Sequence, residues 1–189
     1  MSPAMKPLLY LYLAIFLSAP YAFPAAVQQQ TCGSPATVED ACKAVVDTQP
    51  AVGYDFCVSS LGAATSLVKP TDLHELAATA AKLAISHATA TESKIEELMD
   101  LENDATVKSC FNTCLDVYTD AADRLRDALD NLSARLYQKA MAQLDSAMDA
   151  ADKCEEAFKE SKGSFPLASM DKDFSRLASI AHGIIVSIE

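Results

Sequence analysis

Two cysteines set equally far from a single bend constrain this chain more than any other feature. Val107, Phe111, Cys114, Tyr118, Ala121, Leu125, Ala128 and Leu132 follow one another at spacings of four and three. This is the pattern of a helix that turns one face to a core. Tyr137, Ala140, Leu144, Ala147, Ala151, Cys154 and Phe158 repeat the pattern after a break around Asn131 to Ala134. In a helical hairpin, facing residues are equidistant from the turn. Cys114 and Cys154 each lie twenty residues from Ala134, a distance of about 30 Å along a helix. They therefore face each other. A disulfide there closes a loop of about 41 residues and stabilises by about 4 kcal/mol on the chain-entropy model. The competing reading is a pair of buried reduced thiols.

The N-terminus favours the disulfide. Met1 to Ala26 has one early cation, Lys6, then an apolar run from Leu8 to Leu17, then small residues and prolines from Ser18 to Ala26. That is the layout of a secretory signal peptide spanning 1–26, with cleavage expected between 19 and 26. The apolar run is shorter than the ~20 residues a membrane span needs, so the expected product is secreted, extracellular and not membrane-bound. The rest, 27–189, fits one domain. Because Lys6 is the only charge in the leader, the remainder keeps 14 basic against 26 acidic residues. Such acidity argues against nucleic acid and anionic lipid as partners. With no Trp and only five Gly, close-packed helices are favoured over a sheet.

The remaining elements follow from caps and breakers. Thr37 with Asp40 resembles a capping box opening a short helix through Cys42, Val45 and Val46, and Pro50 and Gly53 end it. Tyr54-Asp55-Phe56-Cys57 opens a second, with Asp55 as cap, running to about Gly62. A helical hairpin over 36–62 would bring Cys42 to Cys57, and a bridge closing about 16 residues there is worth about 3 kcal/mol. Bundle residues 70–189 begin at Pro70-Thr71-Asp72, with Thr71 as N-cap. The first stripe runs through Leu73, Leu76, Ala80, Leu83, His87, Ile95 and Leu98. Asn103-Asp104 turns into the cysteine-bearing pair, and Lys159, Lys162, Gly163 and Pro166 end it. Phe174, Leu177, Ala181, Ile184 and Ile188 mark a last helix. The expected fold is all-α: an antiparallel up-down-up-down four-helix bundle preceded by a short disulfide-linked N-terminal helical hairpin.

Catalytic patterns are missing. The chain has no GxSxG, no Gly-rich phosphate loop and no HExxH, and His74, His87 and His182 fall on three separate stretches. No Glu-x-x-His pair supports a di-metal site. The expectation is a protein that is not an enzyme and carries no metal or other cofactor. Cys32 and Cys110 remain for a third bridge, the alternative being free or intermolecular thiols. Asn131-Leu132-Ser133 matches the glycosylation acceptor pattern at the expected turn.

Several separated motifs resemble the plant invertase and pectin methylesterase inhibitors: Cys42-Lys43 with Tyr54-Asp55-Phe56-Cys57, then Cys114-Leu115-Asp116-Val117-Tyr118, then Cys154-Glu155-Glu156-Ala157-Phe158-Lys159. The likeness covers nearly all of the mature chain. Through Tyr54-Asp55-Phe56-Cys57-Val58, Ser60-Leu61-Gly62-Ala63 and Phe158-Lys159-Glu160 with Lys162-Gly163, it is greatest to plane-tree pollen members of that family. The resemblance implies pairing of the four cysteines first to second and third to fourth. It also implies secretion to the cell wall and one-to-one binding of a protein partner, either invertase or pectin methylesterase, by occlusion rather than chemistry.

Invertase inhibitors of the family carry Pro-Lys-Phe at the start of the third bundle helix, where this chain has Arg135-Leu136-Tyr137. Arg135 suits an acidic catalytic cleft and Tyr137 is a rigid anchor, although Tyr137 also falls on the apolar seam. Pectin methylesterase inhibitors use polar bundle faces, matched here by Asp116, Thr119, Asp120, Asp123, Arg124 and Asp127. Binding through those carboxylates would vary between pH 4 and 7. A non-inhibitory pollen or storage-type binding protein and allergen is the reading from another class.

Overall fold

Backbone N–H groups at helix starts need acceptors, and short polar side chains supply them at three of the six starts. The computed structural model describes residues 37–66, 69–159 and 165–188. The chain divides after Cys32, and all described residues belong to the second unit; the expected leader lies outside them. Helix α1, Val38–Thr48, is capped by Thr37, whose Oγ1 accepts from the Asp40 N–H at 3.1 Å. A 3-10 turn, Pro50–Val52, leads to Gly53 at φ 76°, a left-handed conformation that glycine adopts without strain. Helix α2 then runs Tyr54–Ala64. Asp55, expected as its cap, sits inside the first turn, and Gly53 occupies the cap position.

Helix α3, Leu73–Leu101, is capped by Asp72 rather than the expected Thr71. Asp72 Oδ1 accepts from the Glu75 N–H at 2.9 Å, while Glu75 Oε2 reaches back to the Thr71 N–H at 2.7 Å. The reciprocal pair needs an acidic side chain three residues on, and Glu75 stands at that distance from Asp72. Asp104 caps α4, Ala105–Ser133, through the N–H groups of Thr106 and Val107. Those bonds hold its carboxyl below the ordinary aspartate range. Helix α5 is Tyr137–Phe158 and α6 is Ala168–Val186. No strand occurs among the described residues.

α3, α4, α5 and α6 form the up-down-up-down bundle, each packed on its sequence neighbour, with α3 on α6 closing the ring. Every position of the α4 seam from Phe111 to Leu132 is buried, as is every α5 position from Ala140 to Phe158; Val107 and Tyr137 at the ends are half-covered. Cys114 and Cys154 are bonded, with Cα atoms 4.5 Å apart. Along α3 the buried face differs from the expected one. Ala81, Ala84, Ala88 and Thr91 line the core between Leu76 and Ile95, while Leu83, His87 and Leu98 lie on its flank. Small side chains let the α3 backbone approach its neighbours closely, so the wider residues are displaced to the edge.

α6 is buried nearly all round because the hairpin covers its outer side. Val45 of α1 seats against Gly183, where an added Cβ would lie 3.2 Å from the valine side chain. Cys42 and Cys57 are bonded, with Cα atoms 5.7 Å apart. Arg176 of α6 clasps the hairpin. Its Nε donates to the Val52 carbonyl at 2.8 Å, and its guanidinium lies 3.6 Å from the centre of the Phe56 ring.

Candidate functional site

The α4–α5 connection is only three residues long, and its backbone is fixed at every step. The Arg135 N–H donates to the Leu132 carbonyl at 2.8 Å and the Leu136 N–H to the Asn131 carbonyl at 2.8 Å. This is the Schellman closure of α4, which needs a left-handed residue where Arg135 stands. Arg135 adopts φ 57°, the only non-glycine residue with positive φ among those described. An L-residue there costs about 1–2 kcal/mol, and glycine is the usual occupant. The helix therefore ends on a strained arginine whose side chain projects at the tip.

Three side chains meet at this tip. Arg135 Nη1 donates to the Tyr137 hydroxyl at 3.2 Å, and that hydroxyl lies 3.4 Å from His74 Nδ1 on α3. The His74 and Tyr137 rings meet edge to face with centroids 6.1 Å apart. Leu136 stays 45% exposed between them. Tyr137 thus closes the seam and also anchors an exposed cluster. His74 belongs to this cluster, which sequence reasoning missed because its distance from Tyr137 in the chain hides the contact. α5 opens on Leu136 without a side-chain cap. Its first N–H groups and the Arg135 guanidinium lie at the same tip as the carbonyl end of α4, which has Asp130 in its last turn.

The second candidate face lies along α4. Asp116, Thr119, Asp120, Asp123 and Asp127 are exposed and Arg124 is half-buried. Part of its charge is neutralised internally: Arg124 Nε pairs with Asp120 at 2.7 Å and Arg126 with Asp123 at 2.6 Å. This face runs along the helix side, whereas the Arg135 cluster caps its end.

The remaining expected positions fall elsewhere. Asn131 lies in the last turn of α4, not in a loop, and its Nδ2 donates to the Asp127 carbonyl at 2.8 Å. The helix extends past the expected break because Leu132 continues the buried seam. Among the described residues Cys110 has no disulfide partner, and its Sγ donates to the Ala157 carbonyl at 2.9 Å; Cys32, its expected partner, lies outside them. Lys162 and Gly163 lie outside them too. His87 Nε2 approaches the Met170 carbonyl at 2.9 Å, and His182 Nε2 lies 3.4 Å from Asp145. Among the described residues no three His, Cys, Asp or Glu side chains converge to hold a metal ion, and no helix is long and apolar enough to cross a membrane.

Comparison with known proteins agrees with this architecture. A protein of Platanus acerifolia provisionally named an invertase inhibitor is 33% identical over 148 residues, covering 78% of this chain and 82% of that one. Pectinesterase inhibitor 12 of Arabidopsis thaliana is 31% identical over 132 residues, covering 70% and 76%. Among solved structures, a mutant form of an Arabidopsis pectin methylesterase inhibitor superposes with a TM-score of 0.63 at 22% identity, covering 75% of this chain and 95% of that one. That likeness carries the fold. The profile described as plant invertase/pectin methylesterase inhibitor matches residues 36–184, spanning both disulfide-closed pairs and all but the end of the last bundle helix, so this chain belongs to that family of enzyme inhibitors.

Proposed function

We propose that this protein is a secreted inhibitor of acid invertase that binds its target one to one and occludes the active site with Arg135, Leu136 and Tyr137. The observation that carries the reading is the strained Arg135, bonded to a half-buried Tyr137 that His74 braces from α3. Side chains ordered before binding lose little freedom on docking. An arginine beside an uncapped helix start complements the paired carboxylates of a glycosidase, and the exposed Leu136 adds apolar contact. The named likeness to the Platanus protein points the same way. Secretion to the cell wall is proposed from the leader-like first 26 residues.

The second reading is inhibition of pectin methylesterase through the α4 face, favoured by the Arabidopsis relative. Titrating the purified protein into cell-wall invertase and, separately, pectin methylesterase separates the two. Inhibition of invertase that weakens about tenfold or more in Arg135→Ala and Tyr137→Ala supports the first reading. Inhibition of pectin methylesterase alone, lost in Asp116→Ala/Asp127→Ala, replaces it with the second. Inactivity against both refutes each.

A further inference from the structure

Asp171 is the only buried acidic side chain among the described residues, 6% exposed, in the first turn of α6. The Tyr118 hydroxyl of α4 donates to its Oδ1 at 2.6 Å. Its other oxygen, Oδ2, is buried without a hydrogen-bond partner. Asp152 and Glu155 of α5 line the same cavity of about 350 Å³, together with Phe165 and Lys172. On the α3 side, His87 meets the carbonyl of Met170, the residue before Asp171. The edge of one ring closes the site below, Phe174 against Tyr118 at 5.1 Å between centroids.

An ionised carboxylate is poorly served there. One oxygen has a donor, the other has none, and the nearest charges on α5 are of its own sign. Burial first, then Glu155 and Asp152, push the Asp171 carboxyl up to about 7, against the Tyr118 bond that pulls it down. The Tyr118 hydroxyl is pushed up as well, by its burial and by Asp171, so it stays a donor.

We propose that Asp171 is a proton-binding site coupling the docking of α6 on α4 and α5 to acidity, so that the bundle is tightest in an acidic medium and loosens when the proton leaves. The folded value lies above the ordinary 3.8. The stabilisation is therefore complete below that ordinary value and is lost as pH rises through about 7. Across this window the folding equilibrium constant falls about tenfold per pH unit. The cap carboxylates Asp40, Glu102 and Asp104 are shifted the other way, and their changes fall at more acid pH.

Urea unfolding of the full chain at pH 5 and pH 7 tests the coupling. The wild-type folding constant should fall about 50-fold more than that of Asp171→Asn, which keeps an acceptor for Tyr118 and cannot ionise. Equal pH dependence in the two proteins overturns the proposal. Should the variant fail to fold, carboxyl carbon NMR on the wild type decides instead. An Asp171 midpoint near 7 that moves up in Tyr118→Phe and down in Glu155→Gln supports the site; a midpoint at the ordinary aspartate value removes it.

Discussion

The α4–α5 pair and the N-terminal hairpin are each two helices closed by one disulfide, yet they depend on sulfur differently. The pair would have a core without it: Phe111, Tyr118, Leu125, Leu132, Leu144 and Phe158 are all buried along its seams. The hairpin buries only the apolar side chains of Ala41, Val45, Val52 and Leu61 besides its cysteines, and it meets the bundle through Val45, Arg176 and the packing of α2 on α3. A staple in a thick core adds global stability. A staple over a thin one keeps a local element folded at all.

Breaking each bridge should separate those roles. Cys114→Ala/Cys154→Ala is expected to cost about 4 kcal/mol while calorimetry still reports one cooperative transition; two transitions would contradict the comparison. Cys42→Ala/Cys57→Ala is expected to cost about 3 kcal/mol, with fast amide exchange and proteolysis confined to 38–64 and the bundle protected. Arg176→Ala removes a charged hydrogen bond and a cation–ring contact and should loosen the hairpin by about 2 kcal/mol, read by the same exchange experiment. Unchanged α1 and α2 protection would show that Val45 on Gly183 and the packing of α2 on α3 suffice. The smallest expected effect has the opposite sign. Arg135→Gly relieves the left-handed backbone and should stabilise by about 0.5–1 kcal/mol in urea, at the expense of target inhibition.

The α4 and α5 seams were legible because bulky residues mark their period and the cysteines fix the register. α3 was not, because alanine contributes too little hydrophobicity to reveal which face is inward; Leu83 and His87 drew the stripe toward the flank. The Asp72 cap was one residue from the expected Thr71, a slip that two adjacent capping residues invite. At the candidate site, Arg135, Leu136 and Tyr137 were visible as a motif. The contribution of His74 was not, since it depends on how α3 sits beside the α4–α5 turn. Asp171 was hidden most completely: an acidic residue in the first turn of a helix normally suggests favourable dipole chemistry at a surface, and nothing local betrays Tyr118 opposite.

The three-residue closure from Ala134 to Leu136 also limits how this end of the bundle can vary. With both flanking backbone N–H groups committed, an inserted residue must bulge the closure or rotate α5 by about 100°, carrying Cys154 away from Cys114. Loops diversify by length; this tip can vary only by exchanging side chains on an unvarying frame.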